Sequence, residues 1–213
     1  MDYKVTFYSK LEEKLNIYSH GLGLVLSFIA FPFLVFKAWQ TDDSTVVFSC
    51  IIYGLSMIVL YTASTLYHSA VNIKYRYYLN IFDHSAIYIL IAGTYAPITL
   101  GVLQGRLGWS IFGFSWFLAI VGIFFKLFFI GRYKIVSIIT YILMGWMIVF
   151  AIQPLIDKFD SRGLFFLALG DVFYSIGALF FVLKKVRFNH AIFHVFVLLG
   201  SLSQFVSIYV YML

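Results

Sequence analysis

Apolar residues in this chain come in long blocks rather than in alternation, and short polar clusters separate the blocks. Gly21–Phe36, Val46–Leu66 and Phe114–Phe125 contain no formally charged residue. A half-buried strand would alternate at every second position, whereas these runs are long enough to be helices buried on all sides. A helix needs about 20 apolar residues to cross the hydrocarbon core of a bilayer. On that scale the pattern predicts seven spans, near residues 16–39, 45–68, 81–103, 107–130, 134–154, 163–183 and 188–212. Turn and charge signals mark the breaks: Gln40-Thr41-Asp42-Asp43, Asn72-Ile73-Lys74, Gln104-Gly105-Arg106, Gly131-Arg132, Asp157 to Arg162, and Lys184 to Asn189. The expectation is an all-α integral membrane protein: one seven-helix bundle over 1–213, with 1–14 as a short polar tail.

Composition strengthens this reading. Of 213 residues, 62% are apolar, 21% aromatic and only 11% charged, against roughly a quarter charged in soluble domains. That leaves too little polar surface to coat a water-exposed globule. The single cysteine, Cys50, lies in an apolar run and reads as a packing residue; it allows neither an intrachain disulfide nor a Cys-x-x-Cys metal motif. The first fourteen residues are polar and mixed in charge, and no cleavable signal peptide is visible.

The net charge of +6 acquires meaning from its placement. Cytoplasmic loops collect Lys and Arg. With the N-terminus inside, the inner segments hold Lys4, Lys10, Lys14, Lys74, Arg76, Lys126, Arg132, Lys134, Lys184, Lys185 and Arg187, eleven of the fifteen basic residues. Only Lys37, Arg106, Lys158 and Arg162 fall outside. The excess is topological, so nucleic acid is not an expected partner. A cytoplasmic N-terminus and an external C-terminus are expected, in the cell membrane.

Ionisable side chains inside a bilayer are costly, and each asks for a reason. On this topology all five histidines, His20, His68, His84, His190 and His194, lie at the cytoplasmic ends of their spans. Orientation came from Lys and Arg alone, so this clustering is independent information. His190 and His194 are four apart and share one helix face. His68 ends span two at a similar depth. Three neutral histidines with one open position are the ligand set of catalytic zinc, whereas structural zinc sites close with a fourth protein ligand. Asp83 enters span three in the same layer, where it could hold a metal-bound water. Ser64, one turn before His68, could orient a ligand from behind. The simpler account is that interfacial histidines hydrogen-bond to backbone or headgroups. His20 and His84 receive that structural reading, since His84 follows Asp83 and points about 100° away on a helix. Asp171, in the middle of span six, reads as a hydrogen-bonded core carboxyl before an ion path.

Several runs then fall into a known order: Glu13-x-x-Asn16-x-x-Ser19-His20-Gly21, Ser64-Thr65-Leu66-Tyr67-His68, Phe82-Asp83-His84-Ser85-Ala86 with Gly93-Thr94-Tyr95-Ala96-Pro97, and His190-Ala191-Ile192-Phe193-His194. In this order and spacing the chain resembles the hemolysin III proteins, the bacterial branch of the progestin and adipoQ receptor family, over nearly its whole length. The resemblance implies a zinc ion held by His68, His190 and His194, with Asp83 contacting it through water, and the same inverted topology. Related adiponectin receptors are associated with ceramide hydrolysis, which implies a lipid amide as the substrate class. The chain departs from the pattern at Gln204, where many bacterial relatives have a further histidine, and at Asp171, where a glycine is common.

Four functions compete on this basis. The leading one is a zinc-dependent, ceramidase-like membrane hydrolase in which Asp83 takes the proton of zinc-activated water, its lipid entering sideways from the inner leaflet. The second is a non-enzymatic sensor or receptor of membrane state, with zinc as a structural clamp. The third is a hemolysin-like cytolytic, pore-forming protein, although a toxin must be soluble before it inserts and this chain could not be. A transporter is weakest, because its ion site belongs near the midplane between repeats.

Overall fold

Capping side chains set where four of the helices begin. The computed structural model describes residues 5–130 and 133–213. Its first helix, α1 (Lys10–Trp39), starts six residues before the predicted span because Ser9 caps it, accepting from Glu12 N at 3.3 Å. Glu12 and Glu13 occupy its first turn, where negative charge suits the helix dipole. Asp43 caps α2 (Ser44–Ser69) through Thr45 N and Val46 N. Asn72 caps α3 (Ile73–Ala96) through Lys74 N and Tyr75 N, eight residues before the predicted 81. Both extensions are polar helix that a hydropathy scale leaves out. They carry α1 and α3 beyond the apolar core and move Arg76 from the expected loop into a helix. The predicted break at Gly131-Arg132, like Lys4 and Arg132 of the charge count, lies outside the described residues.

At Pro97, which lacks an N–H to continue an α-helical ladder, α3 widens into a π turn, Pro97–Leu103, closed by Gln104 N to Thr99 O at 2.8 Å. Gln104 and Gly105 both take positive φ, +57° each, and reverse the chain into α4 (Gly105–Phe129). The fifth span is not one helix. It runs from α5 (Lys134–Gly145) through a tight turn, Trp146–Ala151, into α6 (Ile152–Lys158). Tyr95 from α3 explains the interruption, since its hydroxyl accepts from Ile148 N at 2.9 Å and faces Met144 O and Gly145 O at 2.9 and 2.8 Å. A side chain inserted into a helical ladder bends it. Then follow α7 (Ser161–Val182), capped by Asp160, and α8 (Asn189–Val206), which ends in a π turn over Ser207–Met212.

Seven helical stretches are long and apolar enough to span a membrane, and no strand occurs among the described residues. The outward faces carry large apolar side chains, Phe36, Phe128 and Phe150 among them, whereas many small polar residues are buried between helices, including Ser49, Ser56, Ser64 and Thr99. That inverted distribution belongs to a multi-pass membrane protein, whose helices pack through small residues. A Cβ on Gly93 would collide with Ser56, so α2 and α3 approach as closely as backbone allows. The closest helix packing joins α1, α2 and α3, and α7 with α8; α5 touches its neighbours sparsely.

Candidate metal centre

Three helix ends meet at one end of the bundle: the C-terminus of α2 and the N-termini of α1 and α8. His68, one residue from the end of α2, and His190 and His194, in the first two turns of α8, converge there, each offering a ring nitrogen within 4.8 Å of the others. All three are buried. The Nε2 atoms of His68 and His190 face each other at 3.2 Å. Zinc–nitrogen bonds of about 2.0–2.1 Å in tetrahedral geometry place two nitrogens roughly 3.3–3.4 Å apart, so this pair already stands at ligand separation.

The outer ring nitrogens differ in what lies behind them, and for His68 the partner turns the lone pair inward. His68 Nδ1 lies 2.8 Å from Glu13 Oε2; an N–H donated there leaves Nε2 as the lone-pair atom, the carboxylate–histidine arrangement common behind metal ligands. His194 Nδ1 lies 3.5 Å from Ser19 Oγ on α1. His190 Nδ1 is buried without a hydrogen-bond partner, and its ring is held by stacking on Tyr8, with centroids 4.5 Å apart. Burial raises the Tyr8 phenol above its ordinary range, so it keeps its proton. The donor set, the nitrogen spacing and the oriented tautomer of His68 together fit a metal ion.

Glu13 is itself anchored. Arg76 donates through Nη2 to Glu13 Oε1, through Nε to Thr6 O at 3.0 Å and through Nη1 to Ala70 O at 3.0 Å. Its guanidinium is almost fully buried, over the rings of Phe7 and Tyr67. One side chain thus ties α1, the open carbonyls at the end of α2 and the segment before α1 into one layer behind His68. Glu12 does the corresponding work for α8. Phe188, in the left-handed region, gives that helix no side-chain cap, and Glu12 Oε1 accepts from His190 N at 3.3 Å instead.

Asp83 is not among the converging ligands. It lies on the wall of a cavity that also reaches His20, His190 and His194. Ser64 is fully buried beside it, with no well-formed hydrogen bond of its own. His84 stays closer to Asp83 than helical rotation alone suggests: its Nδ1 is 3.5 Å from Asp83 Oδ2 and 2.9 Å from Asn80 O. His20 stacks on His194 with centroids 3.6 Å apart and planes 9° from parallel. Lone pairs in parallel planes run side by side and do not meet, so His20 braces the cluster without joining it.

The cavity, about 290 Å³, leads from the histidines between α3, α5, α7 and α8. Ile87, Ile91, Ile98, Leu167 and Val197 make its walls apolar. At its far end stand Asp171 and Gln204, hydrogen-bonded at 2.9 Å. The core carboxyl expected at Asp171 therefore faces a cavity, and the two positions at which the chain departs from the family pattern are in contact.

Sequence reasoning placed the three histidines and missed what holds them: Glu12, Glu13, Ser19, Arg76 and Tyr8. A signal existed in Glu13, Asn16 and Ser19, polar residues at intervals of three where an apolar helix begins. Arg76 gave none, being one basic residue among several near a span end.

Comparison with known proteins gives the family. Residues 8–205 match the family described as haemolysin-III related. Hemolysin-3 of Bacillus cereus is 45% identical over 202 residues, 95% of this chain and 92% of that protein. The Hemolysin-3 homolog of Bacillus subtilis (strain 168) is 43% identical over 200 residues, 94% of each. The human monocyte to macrophage differentiation factor is 28% identical over 220 residues, 99% of this chain and 87% of that protein.

Proposed function

The chain belongs to the haemolysin-III-related family, and on that premise we propose that it is a zinc-dependent membrane hydrolase acting on a lipid amide. The observation that carries this reading is the apolar cavity that reaches His190 and His194 of the buried three-histidine cluster, with the Asp83 carboxylate on its wall. Three nitrogen ligands leave a position open, which a purely structural site would close.

In this reading His68, His190 and His194 hold the ion, and Glu13, anchored by Arg76, fixes the ring of His68. Zinc, when bound, supplies Lewis-acid polarisation of an acyl carbonyl and acidifies water. Asp83 takes the proton of the attacking water and returns it to the leaving amine. The apolar walls receive the acyl chain and keep bulk water out. The lipid enters from the cytoplasmic leaflet, an orientation that follows from the distribution of Lys and Arg. A reporter fused after Leu213 should therefore read as external, and one in the Lys184–Arg187 loop as cytoplasmic; the reverse result removes the inner-leaflet route.

The decisive experiment uses purified full-length protein in lipid nanodiscs, with elemental analysis beside hydrolysis of N-acyl amides. Wild type should carry about one zinc per chain and release fatty acid. A zinc-replete, folded Asp83→Asn protein with undiminished function retires the hydrolase in favour of a sensor with a structural ion.

A further inference from the structure

The far end of the cavity holds a polar feature that the hydrolase reading does not use. Asp171 on α7 and Gln204 on α8 are each more than nine-tenths buried, and both line the cavity. Gln204 Nε2 donates to Asp171 Oδ1 at 2.9 Å. Gln204 Oε1 is fully buried and has no hydrogen-bond partner. Buried acceptors are rarely left unpaired, because the lost hydration is not replaced. The pair is held in place, since a Cβ on Gly170 would lie 2.5 Å from Gln204 Cγ, and α7 therefore passes α8 at close range.

One of the two Gln204 amide N–H bonds is engaged by the carboxylate, which leaves the second N–H beside the unpaired Oε1, a combination matched by a group that both donates and accepts. Hard divalent cations take six or more oxygens, more than two side chains provide. Walls that are mostly apolar, with Thr94, Tyr95, Tyr174 and Ser175 among the lining residues, disfavour a freely hydrated solute. What satisfies both conditions is an alkyl chain carrying a hydroxyl. The position is defined as well: His194, Val197 and Gln204 all face the cavity from α8. Ten residues separate His194 from Gln204, which at 1.5 Å per residue is about 15 Å along the helix, comparable to a dodecyl chain.

We propose that Asp171 and Gln204 form a subsite for a hydroxyl group on the distal part of an acyl chain whose polar head lies at the histidine cluster. The subsite deepens the lipid-hydrolase reading and rests on its acyl cavity, though not on turnover. A chain with its hydroxyl at the right depth pairs Gln204 Oε1, whereas an unsubstituted chain leaves it unpaired.

The test is equilibrium binding to the full-length protein in nanodiscs, by displacement of a fluorescent fatty acid. The probes are stearic acid and a series of its hydroxy derivatives, with the hydroxyl moved along the chain. Wild type should prefer one distal isomer over stearic acid on the order of tenfold, the net worth of one buried hydrogen bond. Gln204→Leu should erase that preference while retaining stearic acid binding and metal content. Gln204→Met, of closer shape, serves if the leucine variant does not fold. Equal affinity for all isomers in wild type overturns the subsite, as does a preference that survives in the variants. A pair that only clamps α7 to α8 would lower Tm and leave the preference intact, which also overturns it. A preference for one isomer without amide hydrolysis keeps the subsite and sinks the hydrolase; hydrolysis without a preference does the opposite.

Discussion

At the histidine end of the cavity the ligand rings are held by residues of other segments, whereas at the far end two polar residues hold only each other. Glu13 and Ser19 of α1 reach His68 and His194, Tyr8 stacks on His190, and Arg76 of α3 secures Glu13. Asp171 and Gln204 share one hydrogen bond and leave an acceptor open. Side chains fixed from several directions keep donor atoms at set distances, which a metal demands. A pair with spare valence can recognise a ligand and can change without disturbing the fold. The first end is built for position, the second for selection.

This contrast can be broken most severely by His68→Ala. The metal should be largely absent from the purified variant, and elemental analysis that finds a His68, His190 and His194 triple variant as loaded as wild type sinks the centre. Next comes Asp83→Asn, which should leave the metal in place and lower amide hydrolysis by roughly 10²–10⁴-fold, read as turnover against zinc content. Glu13→Gln tests the layer behind the ligands. It should weaken metal affinity by about 10–100-fold, measured by competition with a chelator; unchanged affinity means that Glu13 only anchors Arg76. Arg76→Met breaks a buried ion pair and should cost about 3 kcal/mol of stability, seen as a lower Tm of the metal-free protein. The mildest change for the metal is Gln204→Met, which should leave metal affinity within about twofold, as expected for sites far apart without shared partners. A large loss of metal there would show that the two ends are coupled.

The seven spans and the grouping of all five histidines at one end were legible because hydropathy over about 20 residues and the depth of a residue along a helix are one-dimensional properties. The starts of α1 and α3 were not, since they are set by Ser9 and Asn72 and built from charged and tyrosine-rich turns that carry no membrane signal. The break after Gly145 was hidden for a different reason. Its cause, Tyr95, lies fifty residues away in the chain, and Gly145 by itself marks nothing.

The candidate site divides along the same line. His190 and His194 share a face by helical spacing alone, so the sequence determines that pair and, through span ends, the depth of His68. Whether the lone pairs converge depends on rotation of α2 against α8 and on which atom lies behind each ring. Only tertiary structure decided those, through Glu13, Ser19 and the stacking of His20 and Tyr8. It alone also brought Asp171 to Gln204, 33 residues apart in the chain. Periodicity fixes which residues one helix can offer, and packing fixes which of them meet, because a meeting is a property of two helices at once.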